Sequence, residues 1–235
     1  MLQIVSWSHH VYAVQEICMS HLVFGQKCIS DPLIIDLIES KGIQRLKNID
    51  QHGISPYLHK NKYPLFSRFE HSIGVYFIVD KFSHDRMEKI SALIHDVSHS
   101  PFSHALDYFF QYQDDNFSHQ DSIHTLFLHA TSISEILKSH GVSASAVDQK
   151  NKRFKVLEQT LPDLCADRIE YTLETAVRFN KISVEKAKEI YKDIDYKEKI
   201  WFFKNIFSAK IFSYLALFFT QHLYSAPDTE FNNVI

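Results

Sequence analysis

Glycine and proline are scarce in this chain, with five and six among 235 residues. So few turn-formers exclude a turn-rich β-sandwich and suit long helices with short connections. The three cysteines, Cys18, Cys28 and Cys165, are odd in number, scattered and without paired spacing, so no disulfide framework is expected. There is no basic excess. With 25 Lys and Arg against 28 Asp and Glu, the net charge is −3, which gives no general affinity for nucleic acid or for acidic membranes. A long apolar run is also missing. The most apolar region, residues 200–224, is interrupted by Lys204, Asn205, Lys210 and Gln221. A membrane span needs roughly twenty predominantly apolar residues, so this segment reads as a buried or oligomer-facing helix. The opening residues Met1 to Trp7 carry no basic stretch followed by an apolar core, and no secretory leader is expected. These absences together predict a cytoplasmic chain that neither enters a membrane nor binds nucleic acid generally.

What is present is apolar periodicity. Apolar residues make up 45% and charged residues 23%, an ordinary globular balance at a length that suits one sizeable domain. Asp31-Pro32 places an N-cap before a first-turn proline, with Leu33, Ile34, Leu37 and Ile38 at helical spacing. Ile43, Leu46 and Ile49 suggest a short second helix. Residues 53–64 read as an irregular connection. Helices are then predicted from Phe69 to about Phe82, over residues 86–97, from Ser100-Pro101 through Tyr108, and after Ser118. Residues 141–152 are polar and read as an exposed loop, followed by helices over residues 162–178 and 183–194 and an aromatic segment from Tyr196 to Tyr224. The expected fold is all-α, a single helical bundle with an aromatic carboxy-terminal helix. Residues 1–180 would form the main domain, and residues 181–235 a helical extension packing on the same core.

The stretch Ile90 to His104 carries the chemistry. Within it His95-Asp96 ends an apolar helical run, and His99 and His104 follow closely. An imidazole and a carboxylate on adjacent residues can turn two ligands toward one metal ion. From the residues alone the candidate ligands are His71, His95, Asp96 and a later carboxylate, and Asp163, Asp167 and Glu170 remain equivalent choices. A mixed nitrogen and oxygen set suits a divalent manganese, iron, zinc, nickel or magnesium ion better than a soft-ligand metal. Asp167 and Tyr171 are four apart and share a helix face, with Arg168 beside them in reach of a phosphate. His104 and Asp107, three apart, could form one wall of a pocket. Arg68 offers a planar fork for phosphate, or could pair with Glu70 or Glu39.

Three motifs taken together resemble the HD-domain superfamily of metal-dependent phosphohydrolases. They are Arg68-Phe69-Glu70-His71-Ser72-Ile73-Gly74, His95-Asp96 through His104, and Asp167-Arg168-Ile169-Glu170-Tyr171. The pattern is most similar to the SAM-and-HD-domain type of deoxynucleoside triphosphate triphosphohydrolase, without its SAM module. The likeness covers about residues 20–180 and includes Asp31-Pro32 and the run from Ile43 to Gln51. By this resemblance His71, His95, Asp96 and Asp167 are the metal ligands. His99, His104 and His119 surround the substrate phosphates and Arg68 binds one. His119 is implied as the general acid and Asp107 as its orienting carboxylate, while Gln51 and Tyr171 hold the nucleoside. The implied reaction is hydrolysis of a deoxynucleoside triphosphate to deoxynucleoside and triphosphate.

The sequence departs from that pattern in several places. Ser98 and Ser100 follow His-Asp where glycine is usual, which would reshape the phosphate side of the cleft. His52 follows Gln51 where an apolar residue is common. Thr175 replaces an aspartate that meets the sugar 3′-hydroxyl, and the family's later arginine, histidine and tyrosine have no clear counterpart among Lys204, Lys210, Tyr214 and His222. Two alternatives follow: a nucleoside monophosphate or other phosphoester as substrate, or a non-catalytic nucleotide-binding domain that self-associates through the aromatic segment.

Overall fold

Most helices among the described residues begin with a side-chain cap. A computed structural model describes residues 16–59, 62–104, 106–107 and 118–224. Asp31 accepts from the Leu33 N–H to open α1 (Pro32–Glu39), with Pro32 in its first turn. Short helices α2 (Lys41–Gln44) and α3 (Ser55–Leu58) follow. Ser67 and Glu70 form a reciprocal capping box at the start of α4 (Arg68–Phe82). Asp85 caps α5 (Arg86–Ile94) and Ser118 caps α6 (His119–Ala130). Next come α7 (Ser132–Ser139), α8 (Ala166–Arg178) and α9 (Val184–Asp193), then α10 (Ile206–Phe219), which ends in a π-helical turn over Thr220–Tyr224.

The all-α expectation holds for the body of the molecule, with two antiparallel hairpins added. β1 (Ile17–His21) pairs with β2 (Gly25–Ile29), and β3 (Ile194–Lys197) with β4 (Ile200–Phe203). The second hairpin turns through Glu198 and Lys199, both at positive φ (53° and 66°), and takes the first part of the aromatic segment out of the helix. The first hairpin corrects the cysteine reading. Its register sets Cys18 opposite Cys28, and a disulfide joins them. Strand pairing, invisible in the spacing, makes neighbours of residues ten apart. Two helix boundaries also differ. Cys165 is extended and Ala166 N–H donates to the Val156 carbonyl, so the helix predicted from Pro162 starts at Ala166. After Pro101 the chain makes turns through Ser103 (φ 49°). The rest of the helix predicted through Tyr108 lies mostly outside the described residues.

α4 is the axis of the fold. Ile73, Tyr76 and Phe77 face one apolar cluster with α1, α5 and α7, whereas Val75, Ile78 and Val79 face a second with α8, α9, Trp201 and Phe212. A helix apolar on nearly every side belongs at the centre of a bundle. Any polar group on it must find partners inside the protein. Among the described residues no helix is long and apolar enough to cross a membrane.

Glu88 shows how the irregular segment before α8 is attached. It is 3% exposed, and its Oε1 accepts the N–H groups of Val156 (2.8 Å) and Leu157 (3.0 Å) while Oε2 accepts from the Ser83 hydroxyl (2.5 Å). Removing the carboxylate strands two buried amides, each worth about 1–3 kcal/mol. Urea denaturation is expected to show Glu88→Ala destabilised by roughly 3 kcal/mol or more, with Glu88→Gln losing clearly less because its amide oxygen can still accept. Equal losses would overturn this reading.

Candidate metal centre and cleft

The end of α5 is shaped to turn His95 and Asp96 inward. His95 keeps helical backbone angles at the C-cap, and its Nδ1 lies 2.8 Å from the Ala92 carbonyl, an acceptor. That proton must therefore sit on Nδ1, leaving the Nε2 lone pair free. The following turn is clamped from outside. Arg45 Nη2 donates to the carbonyls of Val97 (2.5 Å) and His99 (2.8 Å), and Gln120 Nε2 to that of His95 (2.6 Å). Ser98 Oγ donates to the Gln120 carbonyl at 3.1 Å and lies 3.1 Å from His124 Nδ1. Ser98 therefore ties the turn to α6 and does not line the cleft, which corrects the expectation that it reshapes the phosphate side.

α4 supplies His71 and the first turn of α8 supplies Asp167. His71 Nε2 stands 3.2 Å from His95 Nε2 and 3.0 Å from Asp167 Oδ1, and donor atoms of the three residues all fall within 4.8 Å of one another. Asp96 adjoins them, its carboxylate oxygens 3.7 Å from His71 Nε2 and 3.6 Å from His95 Nε2. Behind His71, Glu170 Oε2 contacts Nδ1, so this imidazole too can direct Nε2 at the common point. Glu170 thus stands behind a ligand, unlike Asp167. Two imidazole nitrogens and two carboxylates converging at this range repel one another unless positive charge lies between them. This donor set fits a divalent cation, with the carboxylate–imidazole support usual at metal sites.

The electrostatics agree. Burial pulls the His71 and His95 imidazoles down, but Glu170, Asp96 and Asp167 outweigh it and both stand above the ordinary histidine value. Burial would raise both carboxyls, yet Arg68 with His95 and His99 holds Asp96 below the usual range, and His71 with His95 does the same for Asp167. The pocket thus favours positive charge at its centre.

A cleft of about 780 Å³ opens over this cluster. It is lined by Gln51, Arg68, His99, His104, Asp107 and Tyr171 among the residues picked out from the sequence. Arg68 is only 2% exposed and pairs with Asp96 (2.5 Å) and Ser103 Oγ (3.1 Å), not with Glu70 or Glu39. His99 Nε2 lies 3.3 Å from Asp96, and burial with the Arg68 charge lowers its pKa to about 3. Asp107 holds His104 Nδ1 at 2.9 Å, while its other oxygen accepts the backbone N–H of His119 (2.7 Å). The carboxylate expected to orient His119 thus meets His104 through one oxygen and the His119 backbone through the other, and His119 is not among the lining residues. Arg168 is also corrected. Its guanidinium donates to Glu158 and to the carbonyls of Asp163 and Gln159, and it does not line the cleft.

Among the lining residues that escaped the sequence reading are Leu223 and Tyr224. They arrive from the π-helical turn after α10, and one tyrosine in an aromatic-rich segment carries no signal of its own. The Tyr224 ring meets Tyr171 edge-on with centroids 5.8 Å apart, and its hydroxyl is 3.5 Å from Thr175 Oγ1. Thr175 is 1% exposed, buried behind Tyr224.

No protein-family model matches the chain. It is 30% identical over 184 residues to the metal-dependent phosphohydrolase cns2 of Cordyceps militaris, covering 78% of this chain and 52% of that protein. It is 34% identical over 219 residues to the uncharacterized protein YdhJ of Bacillus subtilis, covering 84% of this chain and 66% of that protein. A shorter match, 31% over 107 residues, is to the deoxynucleoside triphosphate triphosphohydrolase SAMHD1 homolog of Dictyostelium discoideum, covering 38% of this chain and 20% of that one. The crystal structure of a phosphohydrolase from Bacteroides thetaiotaomicron shares the fold at a TM-score of 0.67 and 21% identity, over 92% of this chain and 56% of that one. The chain thus spans from half to two thirds of its better-matched relatives.

Beside the cluster, burial lowers His52 and His124 to a pKa of about 4. Unfolded histidine titrates near 6.5. Between those values the unfolded chain binds more protons, so these residues make stability fall as pH drops from 6.5 toward 4 and level off below. Urea midpoints measured across that window should decline less steeply in His124→Gln than in the parent; parallel curves would refute the assignment.

Proposed function

Because the chain belongs to the HD-domain metal-dependent phosphohydrolases, we propose that its reaction is hydrolysis of a nucleotide. The leading reaction is conversion of a deoxynucleoside triphosphate to deoxynucleoside and triphosphate. The supporting observation is that one cleft is lined both by the charged groups Arg68, His71, His95, Asp96, His99 and Asp167 and by the aromatic rings of Tyr63, Tyr171 and Tyr224. A phosphate chain suits the charged groups and a planar base with its sugar the rings.

His71, His95, Asp96 and Asp167 would hold the divalent ion, which when bound supplies Lewis acidity toward a phosphoryl oxygen and an activated water. Arg68, already anchored by Asp96, presents its remaining donors to a phosphate. His104, held by Asp107, stands at the open side of the cleft and protonates the departing alkoxide. Gln51 also lines the cleft and would meet the nucleoside.

One observation favours a second reading. Thr175, which replaces the sugar-reading aspartate of the resembled enzymes, is buried behind Tyr224 and does not line the cleft, so this position presents no carboxylate to a ligand. A hydrogen-bonding group of this kind governs discrimination between related substrates. A nucleoside monophosphate or another phosphoester is the substrate under that reading.

Product analysis separates the two. Incubation of the metal-loaded chain with each deoxynucleoside triphosphate and monophosphate is expected to release inorganic triphosphate from the former, while phosphate from the latter alone supports the second reading. His104→Gln should lower kcat roughly 100-fold or more, the usual contribution of a positioned acid. Absence of turnover of every nucleotide and phosphoester with several metals would sink both enzymatic readings and leave a binding domain.

A further inference from the structure

A second buried group of donors lies behind the metal centre: His21, Glu170 and Glu174. His21 ends β1, is fully inside the protein, and meets Glu170 across 149 residues of sequence. Its Nδ1 lies 3.3 Å from the Val23 N–H and 3.4 Å from the Phe24 N–H, both donors. Nδ1 must therefore accept, and the ring proton sits on Nε2, 3.1 Å from Glu170 Oε1. The other Glu170 oxygen takes the Nδ1 proton of His71. With Oε1 and Oε2 engaged and His21 Nδ1 satisfied by amides, this group is not an independent cation site.

Its geometry instead fixes a chain of tautomers. The hairpin amides set the His21 proton, His21 sets the Glu170 carboxylate, and Glu170 keeps the His71 proton on Nδ1 so that Nε2 faces the cluster. Gly74 is shaped around the same junction: a Cβ there would lie 2.7 Å from both Glu170 Oε1 and His21 Nε2. The Phe24 ring backs the His21 ring with centroids 4.8 Å apart and is itself met edge-on by Tyr191 at 4.8 Å.

We propose that His21 is a positioning residue for the metal ligand His71, acting through Glu170, which makes the β1–β2 hairpin part of the metal centre. This rests on the reading of His71, His95, Asp96 and Asp167 as ligands. His21 touches neither ion nor substrate. Groups behind a metal-ligating histidine orient it and set its basicity, and their loss weakens metal binding roughly 10- to 100-fold.

The test is calorimetric titration of the metal-stripped full chain with Mn²⁺ and Co²⁺, with the visible absorption of bound Co²⁺ as a second readout. His21→Asn, whose amide is too short to reach Glu170, should bind roughly 10- to 100-fold more weakly and shift the Co²⁺ spectrum. His21→Gln, which can still donate to Glu170, should recover most of that affinity. Gly74→Ala, which intrudes on the junction without touching His71, should weaken binding in the same direction. Gly42→Ala places a Cβ 2.7 Å from Ile133 Cδ1 in the core, so it serves as a control that perturbs packing and should leave metal affinity unchanged. Parental affinity in both His21→Asn and Gly74→Ala, or a loss in His21→Gln as large as in His21→Asn, overturns the relay while leaving the metal centre standing. Failure of the parent chain to bind any metal overturns the metal centre and the relay together.

Discussion

The candidate metal centre depends on a histidine that is almost wholly buried at the floor of the cleft. His71 sits 1% exposed on a helix packed by apolar residues on both flanks. An unpartnered imidazole in that position would carry the full desolvation cost of a buried polar group. Both of its nitrogens are therefore matched, Nδ1 by Glu170 and Nε2 by the cluster of His95 and Asp167. That single requirement determines which face α8 turns toward α4 and how deep the end of α5 must reach.

The cleft inherits its polarity from the same arrangement. Buried carboxylates beside buried imidazoles concentrate negative charge that only a cation or proton can balance, and Arg68 takes up part of it through Asp96. Aromatic rings also line the cavity, and the turn after α10 brings Leu223 and Tyr224 to it. Charged groups and aromatic rings in one cleft suit a ligand that carries phosphate at one end and a flat ring at the other. His104, held by Asp107 and 62% exposed, can exchange a proton with solvent.

The hairpin β1–β2 has a larger part than its size suggests. Two ordinary backbone N–H groups, of Val23 and Phe24, determine which nitrogen of His21 carries a proton. That choice passes through Glu170 to the face of His71 that meets the cleft. Gly74 records the constraint from the opposite side, since a Cβ there would press on both Glu170 and His21.

Much of this was legible in the amino-acid order, because helix caps and apolar periodicity act over a few residues. Asp31, Ser67, Asp85 and Ser118 cap helices through contacts no more than three residues away. His95-Asp96 stands out because a polar pair at the end of an apolar helix has no local explanation, and the choice of Asp167 over Asp163 and Glu170 needed the family likeness. What only the tertiary structure decided are pairings over long separations. The disulfide of Cys18 with Cys28 depends on strand register. The capture of Arg168 by Glu158 and the pairing of Asp107 with His104 depend on side-chain packing. Tyr224 reaches the cleft because of where α10 ends, and His21 reaches Glu170 because a hairpin docks on two helices. Local sequence specifies which groups are available and which way a helix starts. Which buried groups share a proton is settled only when the chain has closed and distant polar groups meet in its core.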